Sequence, residues 1–269
     1  MGPRAAPNPG RAGPALIARG GASVRSALCA FLALPLAAAL TGCGGGGPLL
    51  HPAHVLRPGG VQAGAGLSGQ IALRDLPSLS EREGHLQRLS VAPGVAPWVG
   101  ARVGLPSSNE AGLAYTGRSI RLDARHAFTL GATTLSVGLG ASAIVARRVG
   151  EATDGSSAYG GGFDIPILLG LASKGDLYAF WIGPRAGLEL LSGRLAVGTG
   201  TGAAVTEVEA TGRHVFAGLV SGIRVGFRHV YVAVEVNAAY HRSDGTFGGK
   251  PAGFDQLTIT PSGALQISF

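Results

Sequence analysis

The feature that most constrains this chain is an alternation of period two that recurs from residue 61 to the end. Val61, Ala63, Ala65, Leu67, Gly69, Ile71 and Leu73 form one face, with Gln62, Gly64, Gly66, Ser68, Gln70 and Ala72 between them. The pattern returns at 89–105, 135–145, 163–171, 178–190, 215–227, 230–240 and 257–269. Across these runs the first face holds no charged residue. Period two places successive side chains on opposite faces of a strand, so the chain is expected to be all-β.

The second face decides which kind of β protein. It carries Arg88, Arg102, Asp164, Arg185, Glu189, Arg224, Glu235 and Asn237, diluted by glycine and serine, while lysine occurs only at Lys174 and Lys250, outside the runs. A soluble sandwich would cover its outward face with lysine and glutamate. Here the polar face is mostly small residues, which suits a narrow interior with the apolar face against lipid. Charged residues make up only 14% of the chain, which excludes a disordered polyelectrolyte.

Strand count follows from the turns. Lys174-Gly175, Arg228-His229 and the stretch around Gly131 are expected as short turns, and 148–160, 192–212 and 242–254 as long polar loops. In 110–128 the apolar phase changes from odd (Ala111, Leu113, Tyr115) to even (Ile120, Leu122, Ala124), so Thr116-Gly117-Arg118 is a turn or a bulge. A turn gives ten strands and a bulge gives eight; ten leaves no strand of the 61–73 run unpaired. The expectation is an antiparallel up-and-down transmembrane β-barrel over 61–269. Pro93, Pro97, Pro166, Pro184 and Pro261 are expected to mark bulges or gaps, since proline has no N–H for a ladder.

Outward aromatics cluster near the strand ends, Tyr178, Phe180, Phe227 and Phe269 at one end and Phe163 and Tyr240 at the other. These girdles, and a final strand ending in Phe269, resemble bacterial outer-membrane β-barrels. At the other terminus, residues 1–42 hold four arginines and no acid, and 27–40 is an uninterrupted apolar run, too short to span a bilayer. It ends in Leu40-Thr41-Gly42-Cys43, which resembles the lipobox of bacterial lipoproteins. That resemblance implies a signal peptide over 1–42, lipidation at Cys43, and a cell outer membrane location, because Gly44 rather than an aspartate follows. The first 23 residues are unlike a signal n-region, and the true start is expected at Val24. Residues 43–60 are expected as a lipidated flexible tether, with His51 and His54 as solvated side chains rather than a metal site. Without the signal, 18 basic residues face 15 acidic ones, a net of +3 against +7 for the whole chain, and the case for nucleic acid falls away.

Inward charges Arg102, Arg121, Asp123, Arg125, Arg185, Glu189, Arg224 and Glu235 are expected to form a mixed-sign network that plugs the lumen rather than lining an open pore. Gly64-x-Gly66-x-x-Gly69 matches a dinucleotide fingerprint by letter, but the alternation runs through it with no helix start. His241-x-Ser243 resembles the His-x-Ser pair of outer-membrane phospholipases and lipid A deacylases, with Asp255 or Gln256 as third member. The functional expectation is a monomeric, non-enzymatic outer-membrane barrel lipoprotein with a structural or surface-interaction role and minor pore activity. It takes no cofactor or metal; its partners are outer-membrane lipid and the barrel-assembly and lipoprotein-sorting machinery. The alternative is a lipid hydrolase acting through His241 and Ser243.

Overall fold

The computed structural model describes Gly2 and residues 46–73, 80–146, 157–198 and 205–269. Among the described residues, ten strands close into one antiparallel barrel. They are β1 (Val61–Ala72), β2 (Gly94–Leu105), β3 (Asn109–Tyr115), β4 (Ser119–Leu130), β5 (Thr133–Ala146), β6 (Ser157–Ala172), β7 (Tyr178–Gly198), β8 (Val205–Phe227), β9 (Val230–Phe247) and β10 (Lys250–Ser268), with one helix, α1 (Glu81–Ser90), between β1 and β2. Neighbours in sequence are neighbours in the sheet, and β1 pairs with β10 from Gln62↔Ser268 to Ala72↔Thr258. Closure leaves no edge strand with unpaired backbone.

Thr116-Gly117-Arg118 is a turn, with Gly117 at φ +75°, and it reverses the chain between β3 and β4. The phase change in 110–128 therefore joins two strands. The Phe227↔Val230 pair closes a two-residue hairpin in which Arg228 takes φ +57°, a left-handed conformation that a non-glycine residue adopts at a cost. Proline acts through gaps. Pairing between β5 and β6 stops after Val137↔Ile167 and resumes in the same register at Gly140↔Asp164, beside Pro166. Equivalent gaps lie beside Pro184 in β6–β7 and Pro261 in β10–β1. Because the register is unchanged, each proline costs ladder bonds to one neighbour only. Pro97 pairs through without a gap.

The outward face is apolar over a belt. Leu67, Leu122, Leu139, Phe163, Val232, Val234 and Leu265 are each about half exposed or more, where a soluble protein would bury them. On the longer strands the polarity then reverses. Beyond Val215, Tyr240 and Leu257, the outward positions become Arg213, Arg242, Asp244 and Asp255, and the inward ones become Leu191, Ala210, Phe247 and Phe254. The strands have left the apolar belt and continue like those of a water-soluble sheet.

This corrects two expectations. Residues 242–254 are not a loop: β9 and β10 run through them to a Gly248-Gly249 turn, both glycines at positive φ. Most of 192–212 is likewise strand. The run assigned from Leu89 begins as a helix, and β2 starts at Gly94. A capping box sets the start of α1: Ser80 Oγ accepts the Glu83 N–H, and Glu83 accepts the Ser80 N–H at 2.8 Å. Leu86, Leu89 and Val91 turn into the barrel mouth against Ile144, Leu191, Phe247 and Phe254.

Candidate functional site

The lumen is filled by side chains and by the chain's own amino-terminal segment. Of the expected flexible tether over 43–60, residues 46–56 instead run inside the barrel, while Arg57, Pro58 and Gly59 are exposed. Leu49, Leu50 and Ala53 are at most 2% exposed, and they pack in one layer with Trp98, Trp181, Ala114, Leu168, Val220, Ala233 and Ala264. Inward glycines make room for the indoles. A Cβ on Gly100 would stand 2.6 Å from the Trp98 ring, and one on Gly222 would run into Trp181.

The segment forms no strand, so its backbone groups need partners from the wall. Glu235 accepts the N–H groups of Leu49 at 2.7 Å and Leu50 at 2.8 Å, and the Trp181 indole N–H at 3.2 Å. Leu50 sits at φ +51°, and two successive N–H groups meet one carboxylate, an arrangement suited to anions. Gln266 donates to the Leu50 carbonyl at 2.6 Å, and Ser68 to the Gly46 carbonyl at 3.1 Å. Arg185 donates to the Gly47 carbonyl, and Arg125 to the carbonyls of Pro52 and His54. Glu110 accepts the Leu56 N–H at 2.8 Å.

All eight charges assigned inward from sequence face inward, and seven of them join ion pairs. Arg102 bridges Glu110 and Asp123, Arg121 bridges Asp123 and Asp164, and Arg185 meets Asp164 at 2.8 Å. Arg125 holds Glu110 at 2.7 Å, Arg224 holds Asp176 at 2.6 Å, and Glu189 takes Arg118 at 3.1 Å. The eighth, Glu235, is bound by donors of the segment and Trp181. The sequence reading lacks Glu110, Asp176 and Arg118, and it places Asp164 on the polar face without including it in the network. Glu110 and Asp164 stand at inward phase and were legible there; Asp176 and Arg118 stand in turns, where phase has no meaning. Among the described residues, these six arginines face the six carboxylates Glu110, Asp123, Asp164, Asp176, Glu189 and Glu235. The balance suits a neutral plug better than an ion-selective lining.

Neither tether histidine is solvated as expected. Arg125 donates to His51 Nδ1 at 2.8 Å, so that nitrogen is an acceptor. His54 Nε2 lies 3.2 Å from Asp176. Among the described residues no cluster of His, Cys, Asp and Glu has the makings of a metal site.

The His241–Ser243 pair is differently wired from a base and its nucleophile. His214 Nδ1 meets Glu189 at 3.0 Å, His214 Nε2 meets His241 Nδ1 at 2.9 Å, and His241 Nε2 meets Thr258 Oγ1 at 2.8 Å. Only one set of protons satisfies this chain with neutral rings: Thr258 donates to His241, His241 to His214, and His214 to Glu189. Both nitrogens of His241 are then used. Ser243 Oγ is buried and, among the described residues, has no hydrogen-bond partner. Asp255 faces outward, and Gln256 is engaged by Gln87 of α1 at 2.7 Å.

Between the seated segment and α1 remains a polar chamber of about 70 Å³, touched by Gly46, Gly47, Gln70, Ser90, Arg118 and Asn237. Cys43 and, Gly2 apart, the expected signal peptide over 1–42 lie outside the described residues. A closed ten-stranded barrel with an apolar belt, a polar interior and a sealed lumen defines a transmembrane β-barrel.

No protein-family description matches the chain, and no characterised protein matches it in sequence. Among solved structures it is similar to Neisserial surface protein A (NspA), at 11% identity over 78% of this chain and 96% of that one, with a TM-score of 0.32. It is also similar to the translocator domain of the autotransporter NalP from Neisseria meningitidis, at 14% identity over 91% and 96%, with a TM-score of 0.31.

Proposed function

We propose that the chain is a non-enzymatic lipoprotein of the bacterial outer membrane, a sealed barrel with a structural or surface-interaction role. The observation that carries this reading is the seal itself. A lumen filled by residues 46–56, with its charges matched arginine to carboxylate, leaves no wide solute path, so pore activity is minor. The apolar belt and aromatic girdles support membrane insertion, and the Leu40-Thr41-Gly42-Cys43 motif supports a lipid anchor at Cys43. Its partners on this reading are outer-membrane lipid and the assembly and sorting machinery, and it acts as a monomer. The occupied ring nitrogens of His241 weigh against the lipid-hydrolase alternative.

Three measurements on expressed protein test it together. Fractionation should place the chain in the outer membrane. Radiolabelled fatty acid should enter the parent and not Cys43→Ala. A fluorogenic phospholipid should stay uncleaved; cleavage abolished by Ser243→Ala would establish the hydrolase instead.

A further inference from the structure

The sealing segment has a direction. Gly60 stands at the strand ends where Val61 and Phe269 meet, and its preceding residues climb from there. His54 contacts Asp176 in the β6–β7 turn at the same end. Leu50 meets Gln266, Leu49 meets Glu235, and Gly46 meets Ser68 and Thr260. Ser68 is seven residues along β1 from Val61. At about 3.3 Å per residue and a tilt of about 40°, Gly46 is therefore about 18 Å above the end where β1 begins.

The way back down is occupied. Below Gly46 the lumen is closed by the layer of Leu49, Leu50, Ala53, Trp98 and Trp181, all under 5% exposed. Above it lies the polar chamber, which Gly46 and Gly47 border from beneath and Ser90 from the side of α1. The chamber also reaches Thr116 and Arg118 of the β3–β4 turn and Ser119 at the start of β4. That turn is a low point of the wall, since β3 is only 7 residues long while β7 and β8 exceed 20.

We propose that the amino-terminal segment threads the barrel, with Gly46 at its outer-side end and Gly60 at its periplasmic end, so that the chain enters the seal from the outer side of the membrane. The proposal rests on the outer-membrane reading, which sets the chain's end and short turns on the periplasmic side. The wall favours the seated arrangement: withdrawing the segment strips Glu235 of both backbone donors and leaves it buried beside Trp181 alone.

The test is an epitope of about ten residues placed between Gly44 and Gly45, with control epitopes in the Gly248-Gly249 turn and at Lys174-Gly175, each variant checked for heat-modifiable folding. Intact cells are probed with an antibody that cannot cross the outer membrane, then probed again after permeabilisation. The expected result is detection of the amino-terminal and Gly248-Gly249 epitopes on intact cells, and of the Lys174-Gly175 epitope only after permeabilisation. If the Gly248-Gly249 epitope is surface-exposed while the amino-terminal one needs permeabilisation, threading is overturned and the outer-membrane reading stands. If Lys174-Gly175 is exposed and Gly248-Gly249 is not, the orientation itself is wrong, and the proposal fails with it.

Discussion

The carboxylate of Glu235 accepts the backbone N–H of Leu50 at 2.8 Å, joining residues 185 positions apart in sequence. With the Leu49 and Trp181 donors it is the main polar anchor of the lumen seal. Glu235→Ala leaves three buried donors without an acceptor, at about 1–3 kcal/mol each before water enters. The expected outcome is a folded barrel whose segment is cut by protease several-fold faster than in the parent. Limited proteolysis of refolded protein, read by mass spectrometry, checks it.

The two faces of a strand should respond differently to charge. Ile165→Arg and Val234→Arg put a cation into the apolar belt and should each cost about 2–4 kcal/mol if near the bilayer midplane. Gly170→Arg acts on the other side, where even a Cβ would stand 2.8 Å from the Ala53 Cβ of the seal. It should loosen the segment more than it destabilises the barrel. Urea titration in lipid vesicles separates the effects; equal refolding of the Ile165 and Val234 variants and the parent would invert the assigned faces.

How much of this was legible in sequence depends on where each residue finds its partners. The alternation of Val230–Tyr240 needs only the strand's own geometry, and it gives both faces correctly. So does the phase change at Thr116-Gly117-Arg118. The seal could not be read that way. Residues 46–60 have no period, and their order comes from Glu235, Gln266 and Arg125, far along the chain. The stretch 242–254 reads as loop because Arg242 and Asp244 face water, but strand pairing continues after the belt ends. Helix α1 did leave a local sign, Ser80-x-x-Glu83, which the apolar phase of Leu89 and Val91 masked.

The latch at the β6–β7 turn should respond to acid. Burial alone would push the Asp176 carboxyl up; the hydrogen bond to His54 and the charge of Arg224 outweigh it and hold the group below the ordinary carboxylate value. A carboxyl depressed in the folded state contributes stability that is present above its unfolded value of about 3.9 and lost as pH falls through the folded one. Protease sensitivity of the segment at the His54 end should therefore be flat from pH 7 to 5 and rise below about pH 4. Asp176→Asn should be sensitive at every pH and show a smaller acid dependence.

Ser243 offers a test of role by deletion. Among the described residues its buried hydroxyl has no partner, so Ser243→Ala removes a desolvated polar group without breaking a hydrogen bond to any of them. Its urea midpoint should equal or exceed the parent's. A marked loss of stability would mean that Ser243 has a partner the account lacks.

The central claim, that the chain seals its own lumen, is tested most directly by single-channel recording in planar bilayers, comparing the intact protein with a variant lacking residues 46–56. The expected record is a flat baseline with rare small events for the intact chain, and discrete, long-lived conductance steps for the deletion. Steady open-channel conductance from the intact, heat-modifiable protein, unchanged by the deletion, would contradict it.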